Sequence, residues 1–135
     1  MSRVYVLAAD KELPLWDARE ERTRESGGFS ITLTQGFQVE KLDYYRRAVE
    51  ELGYPMKPFR YQLALEKEET DLKNLRAYLE ANCFPGETLE LWNVWLSGDV
   101  NKKCPPGFRG RLADLDMDAL EQFLSVEELC FTITI

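Results

Sequence analysis

Between Phe59 and Leu96 the apolar spacing switches from two to between three and four and back to two, a strand–helix–strand signature. Phe59, Tyr61, Leu63 and Leu65 alternate with Arg60, Gln62, Ala64 and Glu66, the pattern of a strand with one polar face. Leu72, Leu75, Leu79 and Cys83 then fall on one helical stripe, behind Thr70 as expected N-cap and ahead of Pro85-Gly86. Residues 88–96 return to strand form, with apolar residues crowding both faces toward the end, which predicts a central strand. The unit is short enough for a parallel crossover, and leaves open whether its two strands are neighbours. Burying both patterns requires a sheet with a helix packed on it.

The flanking segments extend this plan. Residues 3–9 are β-branched, aromatic or apolar at nearly every position, as in an interior strand. Phe29, Ile31 and Leu33 alternate with Ser30, Thr32 and Thr34, which predicts a half-buried strand. Leu42, Tyr45, Val49 and Leu52 share a stripe that predicts a helix over 39–52, with Gly53 at C′ and Pro55 and Pro58 barring continuation. Asp116 is the expected cap of a short third helix that turns Leu120, Phe123 and Leu124 inward. Leu129, Phe131, Ile133 and Ile135 alternate in a final strand. Arg111 to Leu115 reads as a short strand or a lead-in.

Two segments resist assignment. Residues 10–28 are charged and aperiodic, contain Pro14 and end in Gly27-Gly28, so they read as a long loop or an extended hairpin arm pinned by Leu13, Leu15 and Trp16. Residues 97–110, rich in glycine and proline, read as a second long loop. The expected order is β-β-α-β-α-β-loop-α-β. This is an α/β (α+β) chain forming one domain over 1–135, a single mixed sheet of about five strands with three helices mainly on one face.

Composition then narrows the chemistry. The 135 residues carry 17 basic and 24 acidic side chains, a net charge of −7, and no histidine. Without imidazole there is no Ser-His-Asp or Cys-His pair and no zinc site of the imidazole type. No apolar run approaches the roughly 20 residues of a membrane span, and the first residues lack the pattern of a secretory signal. Cys83, Cys104 and Cys130 are odd in number and contain no C-x-x-C, which points to a reducing, cytoplasmic setting.

Specific motifs fail one by one. Asp114-x-Asp116-x-Asp118 resembles the opening of a calcium loop, but Ala119 and Ser125 stand where glycine and a bidentate glutamate are needed. The three acids suit a capped first turn facing a helix dipole. No phosphate-cradling glycine loop occurs, and Gly27-Gly28 precedes a strand, not a helix. Cys104, behind Lys102-Lys103, is the one thiol with cationic neighbours, yet no base or oxyanion donor accompanies it. Carboxylate pairs are too numerous to single one out for glycosidase-type chemistry. No catalytic residue, metal or cofactor is assigned.

Charge and aromatic placement supply the remaining leads. Lys102, Lys103, Arg109 and Arg111 against Asp99 make residues 97–111 basic, a candidate site for an anionic ligand. Residues 112–135 carry six acids and no base. One basic loop on an acidic domain is a poor footprint for nucleic acid, which is not an expected partner. Trp92 and Trp95, three apart in a strand, face opposite sides of the sheet. If the second face is bare, with Tyr61 or Phe131 beside the ring, the patch is a partner or homodimer surface; if a segment such as 10–28 covers it, the ring is core. The expectation is a non-catalytic protein-interaction domain, with an anionic-ligand binder or minor enzyme built on 97–111 as the alternative.

Overall fold

The computed structural model describes residues 2–96, 104–126 and 128–135. In chain order these form β1 (Ser2–Ala9), β2 (Trp16–Asp17), β3 (Glu20–Ser26), β4 (Phe29–Gln35), β5 (Gln38–Lys41), α1 (Arg46–Glu51) and β6 (Phe59–Ala64). There follow α2 (Glu69–Asn82), β7 (Thr88–Leu96), β8 (Pro106–Arg111), α3 (Met117–Ser125) and β9 (Leu129–Thr134). Seven strands make one mixed sheet in the order β2-β5-β6-β1-β7-β9-β8, while β3 and β4 form a separate ribbon.

β1 is an interior strand because the run from Val4 to Ala9 offers no polar side chain but the Tyr5 hydroxyl, leaving little on either face to meet water. It pairs antiparallel with β6 on one side and β7 on the other. Its residues divide between two apolar layers. Leu7 and Ala9 join Leu63, Leu89, Leu91, Phe131 and Ile133 beneath α2 and α3, whose Leu72, Leu75, Leu79, Leu120 and Phe123 fill that layer. Val4, Val6 and Ala8 join Trp92 and Val94 on the opposite face, covered by Leu42, Val49 and Met56 from the α1 region. Two helices therefore lie on one face and the third on the other.

β6 and β7 run parallel, as a crossover through α2 requires, and β1 lies between them. The buried stripe of α2 matches expectation, but the helix starts at Glu69 and Thr70 lies inside it; Glu68 holds the cap position without a side-chain cap bond. Asp116 does cap α3, accepting the Ala119 N–H at 2.9 Å.

Four expectations change. The sheet has seven strands, not about five, because residues in both presumed loops enter it. β8 pairs parallel with β9, so most of the expected loop 97–110 within the described residues is edge strand. Gly107 permits this: a Cβ there would lie 2.5 Å from Phe131 Cε1. The helix over 39–52 shrinks to Arg46–Glu51, since Val39 is claimed by pairing with Leu63 in β6. Its stripe still packs as read, with Leu42 and Val49 buried and Tyr45 and Leu52 against them. The expected half-buried strand 29–34 is exposed on both faces, and of the two readings left open for residues 10–28 it is the hairpin arm that forms.

Candidate functional site

The arm is one hairpin carried past the body. β2 pairs with β5 through Trp16↔Val39 and Asp17↔Gln38, and the same register resumes in the ribbon with Glu20↔Gln35 and runs to Ser26↔Phe29. Gly27 and Gly28, at φ 58° and 83°, supply the two positive-φ positions of a two-residue turn whose twist matches that of the strands. Seven residues per strand give the ribbon a reach of about 20 Å.

Strand alternation gives the ribbon two different faces. One carries Glu21, Thr23 and Glu25 opposite Thr34, Thr32 and Ser30, with Thr23 and Thr32 hydroxyls 2.9 Å apart. The other carries Arg22, Arg24 and Ser26 opposite Leu33, Ile31 and Phe29. That second face continues the layer beneath α2, where Phe37 and Val39 are buried and Phe37 packs against the Tyr78 ring at 5.7 Å. Beyond α2 the row emerges into water: Leu33 is 45% exposed, Ile31 52% and Phe29 75%. An apolar row of this kind on an unsupported ribbon has no role in the core.

Its charges are unequally engaged. Arg22 makes a bidentate pair with Asp71 of α2, Nη2 to Oδ1 at 2.7 Å and Nη1 to Oδ2 at 3.3 Å, and also donates to Glu20. The Asp71 carboxylate, hydrogen-bonded to it, raises the Arg22 pKa above its ordinary value. Arg24 is exposed and forms no ion pair among the described residues.

The residues singled out from the sequence lie elsewhere. Trp92 and Trp95 do face opposite sides, but the second face is covered. Trp92 is 4% exposed and stacks on Tyr54 at 5.5 Å, under the 42–56 segment and not under 10–28. Tyr61 and Phe131 belong to the other layer. Trp95, partly exposed, lies beneath the Arg3 guanidinium at 5.7 Å. Arg109 and Arg111 sit on one face of the edge strand β8, opposite Thr132 and Thr134. Lys102 and Lys103 lie outside the described residues.

Other chemistry is sparse. Burial pushes the Cys104 and Cys130 thiols up to about 12, and it raises Cys83 as well. Among the described residues no three side chains of ligating type converge to hold a metal. One open cleft of about 420 Å³ mixes Glu12, Asp43 and Glu50 with Lys41, Arg46 and Arg60, and Arg46 and Glu50 neutralise each other at 3.1 Å. No described helix is long and apolar enough to cross a membrane.

Sequence reasoning missed Phe29, Ile31 and Leu33 as surface residues, and missed Arg22 and Asp71 altogether. The available signal was Gly27-Gly28 directly before an alternating run, a hairpin mark whose other strand, EERTRES, has no apolar period. Comparison with family models, with curated proteins and with solved structures gave no match to this chain.

Proposed function

We propose that the chain is a non-catalytic protein-interaction domain of the cytoplasm that binds its partner along the apolar face of the hairpin arm. The observation that carries this reading is the row Leu33, Ile31, Phe29, increasingly exposed toward the tip. Full burial of such a side chain is worth about 1.5–3 kcal/mol, so covering the row supplies a useful part of a binding free energy. The free cysteines agree with a reducing setting.

Charge selects the kind of partner. Glu20 and Asp71 are both engaged by Arg22, which leaves Arg24 as the unneutralised charge among the apolar side chains. Packing two arms face to face would bring two Arg24 groups together, with the Glu20 carboxylate of each already engaged by Arg22. A different protein, offering an apolar segment bordered by a carboxylate, suits the face better than a second copy.

Random-peptide display against the wild-type chain tests this. Enriched peptides should be apolar with Asp or Glu, lose binding to Ile31→Lys, and give way to Lys- or Arg-bearing peptides when Arg24→Glu is the target. Peptides that bind Ile31→Lys equally well, or carry no carboxylate, would sink the reading. So would a concentration-dependent dimer that Ile31→Lys dissociates.

A second reading keeps Arg109 and Arg111 as an anion-binding pair, favoured by their exposure on one sheet face without an ion pair among the described residues. Inorganic phosphate should then raise the melting temperature of wild type but not of Arg109→Gln/Arg111→Gln; no shift for wild type removes it.

A further inference from the structure

We infer that the arm is a latched element, jointed at residues 18–19 and 36–37 and held in its orientation by the Arg22–Asp71 pair. The inference stands on the joint and the ion pair, whatever the arm binds. At the joint the ladder pairs stop after Asp17↔Gln38 and resume at Glu20↔Gln35. The backbone bond across this gap runs from Ala18 N–H to Phe37 O at 2.9 Å. Gly36 holds φ at 137°, a conformation that residues with a Cβ rarely adopt, and a Cβ there would lie 3.3 Å from Arg19 Cα.

A two-stranded ribbon is marginally stable alone, and among the described residues neither outer edge of this one pairs with another strand. With the ladder interrupted at the joint and bridged by one backbone bond, its direction depends also on contacts outside the sheet. Arg22 supplies such a contact. Its guanidinium is 12% exposed and the Asp71 carboxylate 1%, so the pair is shielded from water and salt. Asp71 Oδ2 also accepts the Glu66 N–H at 2.7 Å, which seats the carboxylate in the connection between β6 and α2. A fork-to-carboxylate contact fixes angle as well as distance, so one residue of β3 sets the pose of the whole ribbon. Glu20, on the same strand, holds Nη2 at 3.0 Å and pre-aims the fork.

The functional consequence is preorganisation. A latched arm presents its apolar face in one pose, whereas an unlatched arm must be ordered at the moment of binding. The latch is thus a point at which affinity is adjustable without touching the contact residues.

Hydrogen exchange followed by mass spectrometry tests the latch without any partner. Two variants serve: Arg22→Lys, which keeps the charge but loses the fork, and Arg22→Leu/Asp71→Asn, which leaves no buried charge behind. In both, the cross-strand-bonded amides of β3 and β4 should exchange at least tenfold faster, with those of β1, β6 and β7 unchanged. Unchanged arm amides in both variants would overturn the proposal, as would acceleration spread evenly over the main sheet. Wild type provides a measurement independent of folding defects. Residual dipolar couplings from β3 and β4 should fit the alignment tensor of the main sheet, and a separate tensor for the ribbon would refute a latched arm.

Discussion

Ile31 can be replaced at little cost to the core, because its side chain is 52% exposed and belongs to neither buried layer. Ile31→Lys should therefore leave the unfolding free energy from a urea titration within about 0.5 kcal/mol of wild type while abolishing peptide capture. Gly107 is the opposite case. Its missing Cβ is the space that Phe131 fills, so Gly107→Ala should destabilise by about 1–3 kcal/mol, read as a lower midpoint at unchanged slope. The half-buried thiols of Cys104 and Cys130 give a pH signature. Their pKa values stand at about 12 in the folded chain, chiefly through burial, against an ordinary value near 9. Folding favours the neutral thiol, so this contribution is complete below pH 9 and disappears as pH rises toward 12. Stability should decline across that window, and less steeply in Cys104→Ala/Cys130→Ala. At pH 8 both native thiols should react with a disulfide reagent far more slowly than after unfolding.

Among the elements, the arm and the body are separable. Replacing 20–35 by a two-residue turn, with Asp71→Asn to avoid a stranded carboxylate, should retain the far-ultraviolet spectrum expected of the main sheet and a cooperative thermal transition. Loss of cooperativity would show that the ribbon is part of the core. This separability also explains what the sequence revealed. Elements buried on both sides or along a full stripe were legible, as with β1, α2, β7, α3 and β9, because their neighbours impose the period of the apolar residues. β8 was not, because its glycines and prolines carry no period; it exists through its parallel pairing with β9. The span 39–52 misled because tertiary pairing took Val39 for β5, leaving a real stripe on a shorter helix. The candidate site was the least legible part. Alternation reports that a strand has an apolar face, and the length of α2 decides whether that face is covered.

For the molecule as a whole, the two layers bury most large apolar side chains; of the exposed ones, Leu15, Trp16, Phe29, Ile31 and Leu33 share the arm and its root, while Tyr44, Phe59, Phe84 and Val126 are scattered elsewhere. A net charge of −7 opposes association of like copies, in keeping with the unpaired Arg24 on the apolar face. The central claim is that this face stands open to water in the isolated chain. Methyl relaxation enhancement by a neutral, soluble gadolinium chelate measures it directly in a dilute sample. Ile31 and Leu33 should be relaxed as strongly as exposed surface methyls, while Leu75 and Leu120, buried under the helices, should be spared. Protection of Ile31 and Leu33 to the level of Leu75 would mean that the arm folds back or pairs with another copy, and would contradict the account.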